Sequence, residues 1–164
     1  MIESSGQILT ARAATDLAAV IEVNAGADGF HRTKYKGLML ADTFPEEDSR
    51  TKGTWAVISQ TGNEAKFLGV VGDDTSPHAN IKLDSGSPVL EWYQSHNFKQ
   101  GDVMTVERNG IIPVIAEGAI KEGDLICLGD DGTFKKTTNI ANAVGRSYEN
   151  AQDGEVFRAF IKAL

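Results

Sequence analysis

The stretch Gly123-Asp124-Leu125-Ile126-Cys127-Leu128-Gly129-Asp130-Asp131-Gly132-Thr133-Phe134 contains the pattern from which we predict the fold class. A Gly-Asp turn precedes an apolar run, and Asp131-Gly132 separates that run from the next apolar position. Asp-Gly is a preferred two-residue hairpin turn because both central positions require positive φ. The same order of residues begins 22 positions earlier, at Gly101-Asp102, and includes Asn109-Gly110. The two copies predict two tandem β-hairpins, connected by the apolar segment 112–120.

Other segments of the chain also have the composition or alternation of strands. Residues 54–59 are β-rich, 61–64 have turn composition, and 66–71 predict a return strand. Near the end of the chain, one set of side chains alternates with a more apolar set: Val156, Arg158, Phe160 and Lys162 against Phe157, Ala159 and Ile161. Because both sides of this predicted strand carry apolar residues, we expect a second covering surface, such as a neighbouring subunit.

The predicted fold is therefore mainly β, a small β-barrel or β-sandwich built from antiparallel hairpins, with an N-terminal arm. We expect at most one or two short helices. The best candidate is 88–96, where Pro88 suits a first helical position and an aromatic strand is the alternative. Residues 1–23 are expected to be an arm or edge segment, within which 12–23 fits either a helical turn or a strand. A β-rich region with long loops (24–100) and a C-terminal hairpin barrel (101–164) are expected to pack as one domain.

Charge and composition exclude several classes of protein. The formal net charge of −7 would repel a phosphate backbone, so we predict no nucleic-acid partner. The single cysteine, Cys127, allows no intrachain disulfide and is expected to be a small buried hydrophobe. No stretch approaches the ~20 apolar residues of a membrane span, and residues 1–5 lack signal-peptide character. We therefore expect synthesis in a cytoplasm and no membrane partner.

The sequence offers no constellation of catalytic or metal-binding residues. His31, His78 and His96 are isolated and lack metal-ligand spacing. The Gly-Asp-Asp triplets at 72–74 and 129–131 place adjacent aspartates, which point to opposite sides of a strand. Trp92 and Tyr93 beside a glutamate are expected to be core residues. We predict no catalytic residues, no cofactor, no metal and no enzymatic activity.

Three stretches together resemble a known family: 114–134, then Ala143-Val144-Gly145-Arg146-Ser147, then Ala151-Gln152-Asp153-Gly154-Glu155-Val156. The order of Ala-Ile, Gly-Asp, an apolar strand, Asp-Gly, Ala-Val-Gly and Ala-x-x-Gly-Glu is similar to the capsid cement (decoration) proteins of tailed bacteriophages. The resemblance covers about residues 101–164. It implies a β-barrel or β-sandwich that binds assembled major capsid protein on the virion exterior, often as a homotrimer, and it identifies no contact residues.

Candidate capsid contacts come from the weak core pattern of the N-terminus and from local positive charge in an acidic chain. They are Ile2, Ile8, Leu9, Arg12, Arg32, Lys34 and Lys36. The alternative for the basic stretch is an ordinary solvated loop. Two other functions stay open. A carbohydrate- or receptor-binding β-module of a virion would need an exposed aromatic platform, with Trp55, Trp92 or Tyr93 as candidates, and a small enzyme would need scattered site residues.

Overall fold

A computed structural model describes residues 8–15, 17, 35–42, 53–71, 100–101 and 103–163, which form a five-stranded closed barrel followed by a five-stranded sheet. The strands are β1 (Ile8–Ala13), β2 (Gly37–Leu40), β3 (Trp55–Ile58), β4 (Phe67–Val71), β5 (Val103–Glu107), β6 (Asn109–Ile115), β7 (Leu125–Leu128), β8 (Phe134–Lys136), β9 (Gly145–Ser147) and β10 (Val156–Lys162). The helical elements of these ranges are single 3₁₀ turns at Glu64–Lys66, Asp130–Gly132 and Ile140–Asn142. The prediction of a mainly β fold with a small barrel is confirmed. The helix candidate 88–96 lies outside the described residues.

The barrel has the strand order β1-β3-β2-β4-β5 and closes where β5 meets β1. β1 falls in the segment expected as an arm or edge, yet it pairs with β3 in parallel and with β5 antiparallel. Its side chains explain this position, because Ala11 and Ala13 are buried in the barrel interior. The described part of the N-terminal segment is therefore a strand hydrogen-bonded on both sides. Residues 1–7, 16 and 18–23 lie outside the described residues.

The arrangement of β2, β3 and β4 differs from the prediction that residues 54–59 and the return strand 66–71 are neighbours. β3 and β4 appear in the sequence as a strand and its return strand, but β2 lies between them and pairs antiparallel with both. The pairing of β2 with β4 shifts register between Leu38 and Met39. Gly69 of β4 has φ 147°, and a Cβ there would lie 2.4 Å from the carbonyl oxygen of Glu107. The strand therefore needs glycine where β5 approaches closely.

The C-terminal sheet has the strand order β6-β10-β9-β7-β8. The predicted second hairpin is confirmed in its pairing, because β7 and β8 are antiparallel, and Asp131 (φ 55°) and Gly132 (φ 79°) both have positive φ. Its connection is longer than the expected two-residue turn: Leu128 lies opposite Phe134, and the 3₁₀ turn Asp130–Gly132 lies between them. The predicted first hairpin is wrong, because β5 belongs to the barrel and β6 to the sheet. Asn109-Gly110 is not its turn but the start of β6, whose seven residues all pair with β10.

β4 joins the two halves of the protein because both of its faces are buried. Leu68 and Val71 pack in the barrel core, whereas Phe67 and Val70 pack in the core of the C-terminal sheet. The 3₁₀ turn Asp130–Gly132 adds polar contacts between the halves. The backbone N–H of Gly132 donates to the Ser59 carbonyl oxygen at 2.9 Å. These contacts hold the sheet with one face against the barrel and the other directed outward.

Candidate interaction surface

The alternation of β10 separates a buried face of the C-terminal sheet from an outward one. Phe157, Ala159 and Ile161 are at most 1% exposed, as their predicted inward side requires. On the opposite side, Val156 is 47% exposed and Phe160 49%. Exposed side chains of this size cost hydrophobic free energy unless another surface covers them. The surface that contains them is called the outer face below.

A registered row of side chains crosses the outer face over four strands. Phe160 of β10 lies opposite Ile111 of β6 on one side and opposite Arg146 of β9 on the other. Arg146 in turn lies opposite Leu125 of β7. Ile111 and Leu125 are half-buried and lie at the two ends of this row, beyond Phe160 and Arg146 respectively. The row places Phe160 and Arg146 opposite each other on neighbouring strands at the middle of the sheet.

Two shallow depressions lie on either side of the pair formed by Phe160 and Arg146. One is lined by Glu122, Gly123, Ser147 and Tyr148 in addition to the pair. The other is lined by Leu125, Ala143, Val144, Gly145 and Lys162 in addition to the pair. Apolar side chains and two cations thus line the second depression, whereas a carboxylate lines the first. A partner on this face would meet an apolar centre with charges that differ from one end to the other.

The charged side chains of the outer face differ in whether they form an ion pair within the chain. Arg158 forms an ion pair with Glu149: its Nε donates to Oε1 at 2.8 Å and its backbone N–H donates to Oε2 at 3.0 Å. These bonds, the backbone one foremost, hold the pKa of Glu149 below its ordinary value. Nη1 of Arg146 donates to the Gly123 carbonyl oxygen at 2.7 Å. Within the described ranges, Lys162 has no ion-pair partner. The ammonium group of Lys162 and most N–H donors of Arg146 therefore remain available to a partner.

The structure describes four of the seven predicted capsid contacts. Leu9 is half-buried and packs against the barrel core, and Nη1 of Arg12 donates to the Gly101 carbonyl oxygen at 3.2 Å. Ile8 begins β1. Lys36 differs from the expectation, because its side chain is completely buried between the barrel and the C-terminal sheet. Ile2, Arg32 and Lys34 lie outside the described residues.

The buried Lys36 has an unusual environment. Among the described residues, neither its Nζ nor the buried Oγ of Ser59 has a hydrogen-bond partner. Burial lowers the pKa of Lys36 below its ordinary value, and the Asp131 carboxylate opposes that shift only in part. In the sequence alone Lys36 has the same surface-loop character as Lys34, because nothing local distinguishes a lysine that a later hairpin covers.

Other candidates from the sequence have ordinary structural positions. Trp55 is 6% exposed, so it offers no platform for a sugar. Trp92, Tyr93 and all three histidines lie outside the described residues. Cys127 is buried as predicted, and burial raises the pKa of its thiol. In the described part of the chain, no group of acidic, histidine or cysteine side chains is arranged to hold a metal ion. The same ranges contain no helix long and apolar enough to span a membrane.

Comparison of the sequence with protein-family models and with characterised proteins gives no match. Among solved structures, one match is the crystal structure of the head fibre gp8.5 N base of bacteriophage phi29. It has a TM-score of 0.49 and 19% sequence identity, and covers 96% of this chain and 94% of that chain. A TM-score and an identity this low establish neither a common fold nor a common function.

The sequence predicted part of the outer face, namely one side of β10 with a second covering surface, but did not include it among the candidate capsid contacts. The signal was nevertheless present, since Val156 and Phe160 are apolar positions on the outward side of an alternating strand. The row across four strands was not readable, because it depends on which strands become neighbours.

Proposed function

We propose that this chain is a structural cement protein that binds the outer surface of an assembled phage head and stabilises it. The observation that carries the proposal is that the cement-like residues form one structural unit, the sheet β6 to β10 with its turns and core. Gly118, Gly123 and Gly154 adopt φ of 76°, 87° and 82° in turns of this unit. Val114, Ile120, Ile126, Val144 and Ala151 are buried in its core. The turn glycines and apolar positions of the resemblance thus have the roles that the pattern implies.

The physical basis of the proposed role is preferential binding to the assembled shell. A protein that binds surfaces present together only after assembly stabilises the assembled form by mass action. Repetition over many equivalent sites increases the effect through avidity. The role needs a stable β unit and exposed contact surfaces, and it needs no catalytic group.

We assign the contact with the major capsid protein to the residues before β1 and to the basic residues Arg32 and Lys34. Lys36 leaves this set because its side chain is buried. Arg12 and Leu9 remain in the proposed contact set, because both are only partly buried. The basic residues would meet acidic groups of the coat protein, and steering of this kind weakens with added salt.

The test is co-sedimentation with mature heads that lack the protein, with dispersed coat protein as the control. We expect the full chain to bind heads, to leave dispersed coat protein unbound, and to raise the temperature at which heads disrupt. Failure of the full chain to associate with heads would overturn the proposed function.

A truncation tests the contact assignment separately. The cut belongs after residue 7, because β1 begins at Ile8 and a longer deletion removes barrel strand pairs. We expect the chain 8–164 to keep the circular dichroism and thermal transition of the full chain and to lose head binding. Undiminished head occupancy by the truncated chain would show that residues 1–7 make no essential contact.

A further inference from the structure

We propose that the 3₁₀ turn Asp130–Gly132, called the latch below, closes over the side chain of Lys36 and opens locally from the barrel when that amine is protonated. The latch lies where the C-terminal sheet meets the barrel. Its opening would therefore loosen the joint between the two halves of the protein. The inference rests on the contacts of this turn and is independent of head binding.

Lys36 is enclosed at the joint without an acceptor for its amine. Its side chain is completely buried, immediately before β2. An added Cβ at Gly132 would lie 2.7 Å from Cβ of Lys36 and 3.1 Å from its Cγ, so the latch lies directly on the lysine stem. Among the described residues its Nζ has no hydrogen-bond partner. A proton on this amine therefore places a charge that has lost its water and gained no hydrogen bond.

Hydrogen bonds fasten the latch to the residues that follow β3. The backbone N–H of Gly132 donates to the Ser59 carbonyl oxygen at 2.9 Å. The backbone N–H of Asp131 donates to Oε1 of Gln60 at 3.2 Å. Asp130 is exposed and Asp131 is half-buried, so much of the latch faces solvent. Segments with few buried apolar contacts open at a lower free energy than the whole fold, and the latch is such a segment.

The base of the latch belongs to the hairpin and is anchored independently of Lys36. The backbone N–H of Gly129 donates to the Thr133 carbonyl oxygen at 2.8 Å. Phe134 follows, and its completely buried ring packs against Phe67. An opening confined to the latch would break the bonds of Gly132 to the barrel and keep the bond of Gly129. The two kinds of N–H group therefore report on different motions.

The charge that acts on the amine in the described part of the chain is the Asp131 carboxylate. It raises the pKa of Lys36, but burial lowers that pKa by more. The other carboxylate of the latch, that of Asp130, accepts from the Thr61 hydroxyl. The neighbours from the end of β3 and from β4 are uncharged. They are Ile58, Ser59 and Val71.

The direction of the pH dependence follows from the two states of the amine. With the latch open, Lys36 is hydrated and has its ordinary pKa, whereas with the latch closed its pKa is lowered. As pH rises from the lowered value to the ordinary one, the closed form gains stability, and the opening constant falls by up to about tenfold per pH unit. Below this window both forms are protonated, and above it both are neutral, so the opening constant is level in each range.

Amide hydrogen exchange followed by NMR from roughly pH 7 to pH 11 tests the latch at individual bonds. After correction for intrinsic exchange rates, we expect opening constants for Gly132 and Asp131 at least about tenfold above that of Gly129. We also expect both to fall as pH rises through the window. Opening constants equal to that of Gly129 would overturn the proposal, because the latch would then open only with the hairpin. Large constants that do not change with pH would overturn the link to Lys36.

Two substitutions assign the pH dependence to the buried amine. Lys36→Met should abolish the fall in the opening constants, whereas Lys66→Met, at an exposed lysine paired with Asp42, should leave it unchanged. A fall that survives Lys36→Met would contradict the assignment. Asp131→Asn keeps a residue type that tolerates the positive φ of 55° and removes the charge that favours the protonated amine.

We expect Asp131→Asn to raise the opening constant of Gly132 about threefold at the lower end of the pH window. The effect should vanish above the ordinary pKa of lysine, where the amine is neutral in both forms. The Gly129 N–H is the internal control in each variant. An opening constant that does not rise in Asp131→Asn would show that the charge on Lys36 does not drive the opening of the latch.

Discussion

Phe67 of β4 and Phe134 of β8 meet edge to face, with ring centroids 5.9 Å apart and ring planes at 79°. The first residue belongs to the barrel and the second to the C-terminal sheet, so this contact lies where the two halves join. Phe134 is completely buried, and its ring also lies close to Gly37, where an added Cβ would be 3.0 Å away. The second hairpin is therefore inserted against the end of β2 as well as against β4.

The aromatic contact should appear as a measurable coupling between the halves. In a double-mutant cycle of Phe67→Leu and Phe134→Leu, we expect a coupling free energy of about 0.5–1.5 kcal/mol in urea unfolding. Pairing Phe67→Leu with Phe157→Leu provides the control, because Phe157 shares the core without an aromatic contact to Phe67. A coupling free energy no larger than that of the control would show that the edge-to-face contact adds no stability beyond ordinary core packing.

Replacing the buried lysine should stabilise the protein. Lys36→Met keeps the length of the side chain and removes a buried amine that has no hydrogen-bond partner in the described part of the chain. We expect the free energy of unfolding at pH 7 to increase by about 1–3 kcal/mol. The measurement is urea unfolding of both chains, and Lys66→Met, at an exposed ion pair with Asp42, is the control with little expected effect.

The gain from Lys36→Met should also depend on pH. The pKa of Lys36 in the folded chain is lowered, so the unfolded chain retains its proton at pH values where the folded chain has lost it. Between the lowered folded pKa and the ordinary value, the stability of the parent chain rises with pH. The methionine variant lacks this rise, so its advantage should shrink as pH approaches 10. A constant difference across that window would show that burial does not shift the titration of Lys36.

Local patterns were predicted well because their causes are local. The hairpin of β7 and β8 depends on Asp131 and Gly132, whose positive φ values follow from residue type. The inward residues of β10 follow from alternation alone. Order among strands was not predictable in this way. The insertion of β2 between its neighbours and the separation of β5 from β6 depend on pairings between distant segments, which no short window of sequence contains.

The interaction surface and the buried lysine show the same limit. Phe160 was readable as an outward apolar residue, but its neighbour Arg146 became known only with the register of β9. Lys36 is covered by the turn Asp130–Gly132, nearly a hundred residues away in the sequence. Lysine side chains are usually exposed, so residue type predicted an exposed side chain at Lys36. The contact with this distant turn buries it instead.

Gly132 should tolerate a side chain less well than another glycine of the same conformation. At Gly132 an added Cβ would lie 2.7 Å from Cβ of Lys36, whereas at Gly154 no atom lies within 4 Å. Both residues have positive φ, so alanine costs about 1–2 kcal/mol at either position from backbone strain alone. We expect Gly132→Ala to cost about 2 kcal/mol more than Gly154→Ala in thermal or urea unfolding. Similar losses would mean that the turn moves away from Lys36 without cost.

The contact that fastens this turn to the barrel should be visible in the titration of Asp130. Its Oδ1 accepts from the Thr61 hydroxyl at 2.8 Å and from the Thr61 backbone N–H at 3.4 Å. These bonds, the hydroxyl first, hold the pKa of Asp130 below its ordinary value. Thr61→Val removes the hydroxyl bond and keeps the backbone one, so the pKa should rise part of the way back. Because a lowered folded pKa gives stability that is lost as pH falls through it, the variant should lose less stability on acidification. Carbon-detected NMR of the carboxyl groups follows the titration of Asp130 in the parent chain and in the variant. Glu149, which is bonded to Arg158, is the internal control and should titrate identically in both chains. An unchanged Asp130 titration would assign its low pKa to a group other than Thr61.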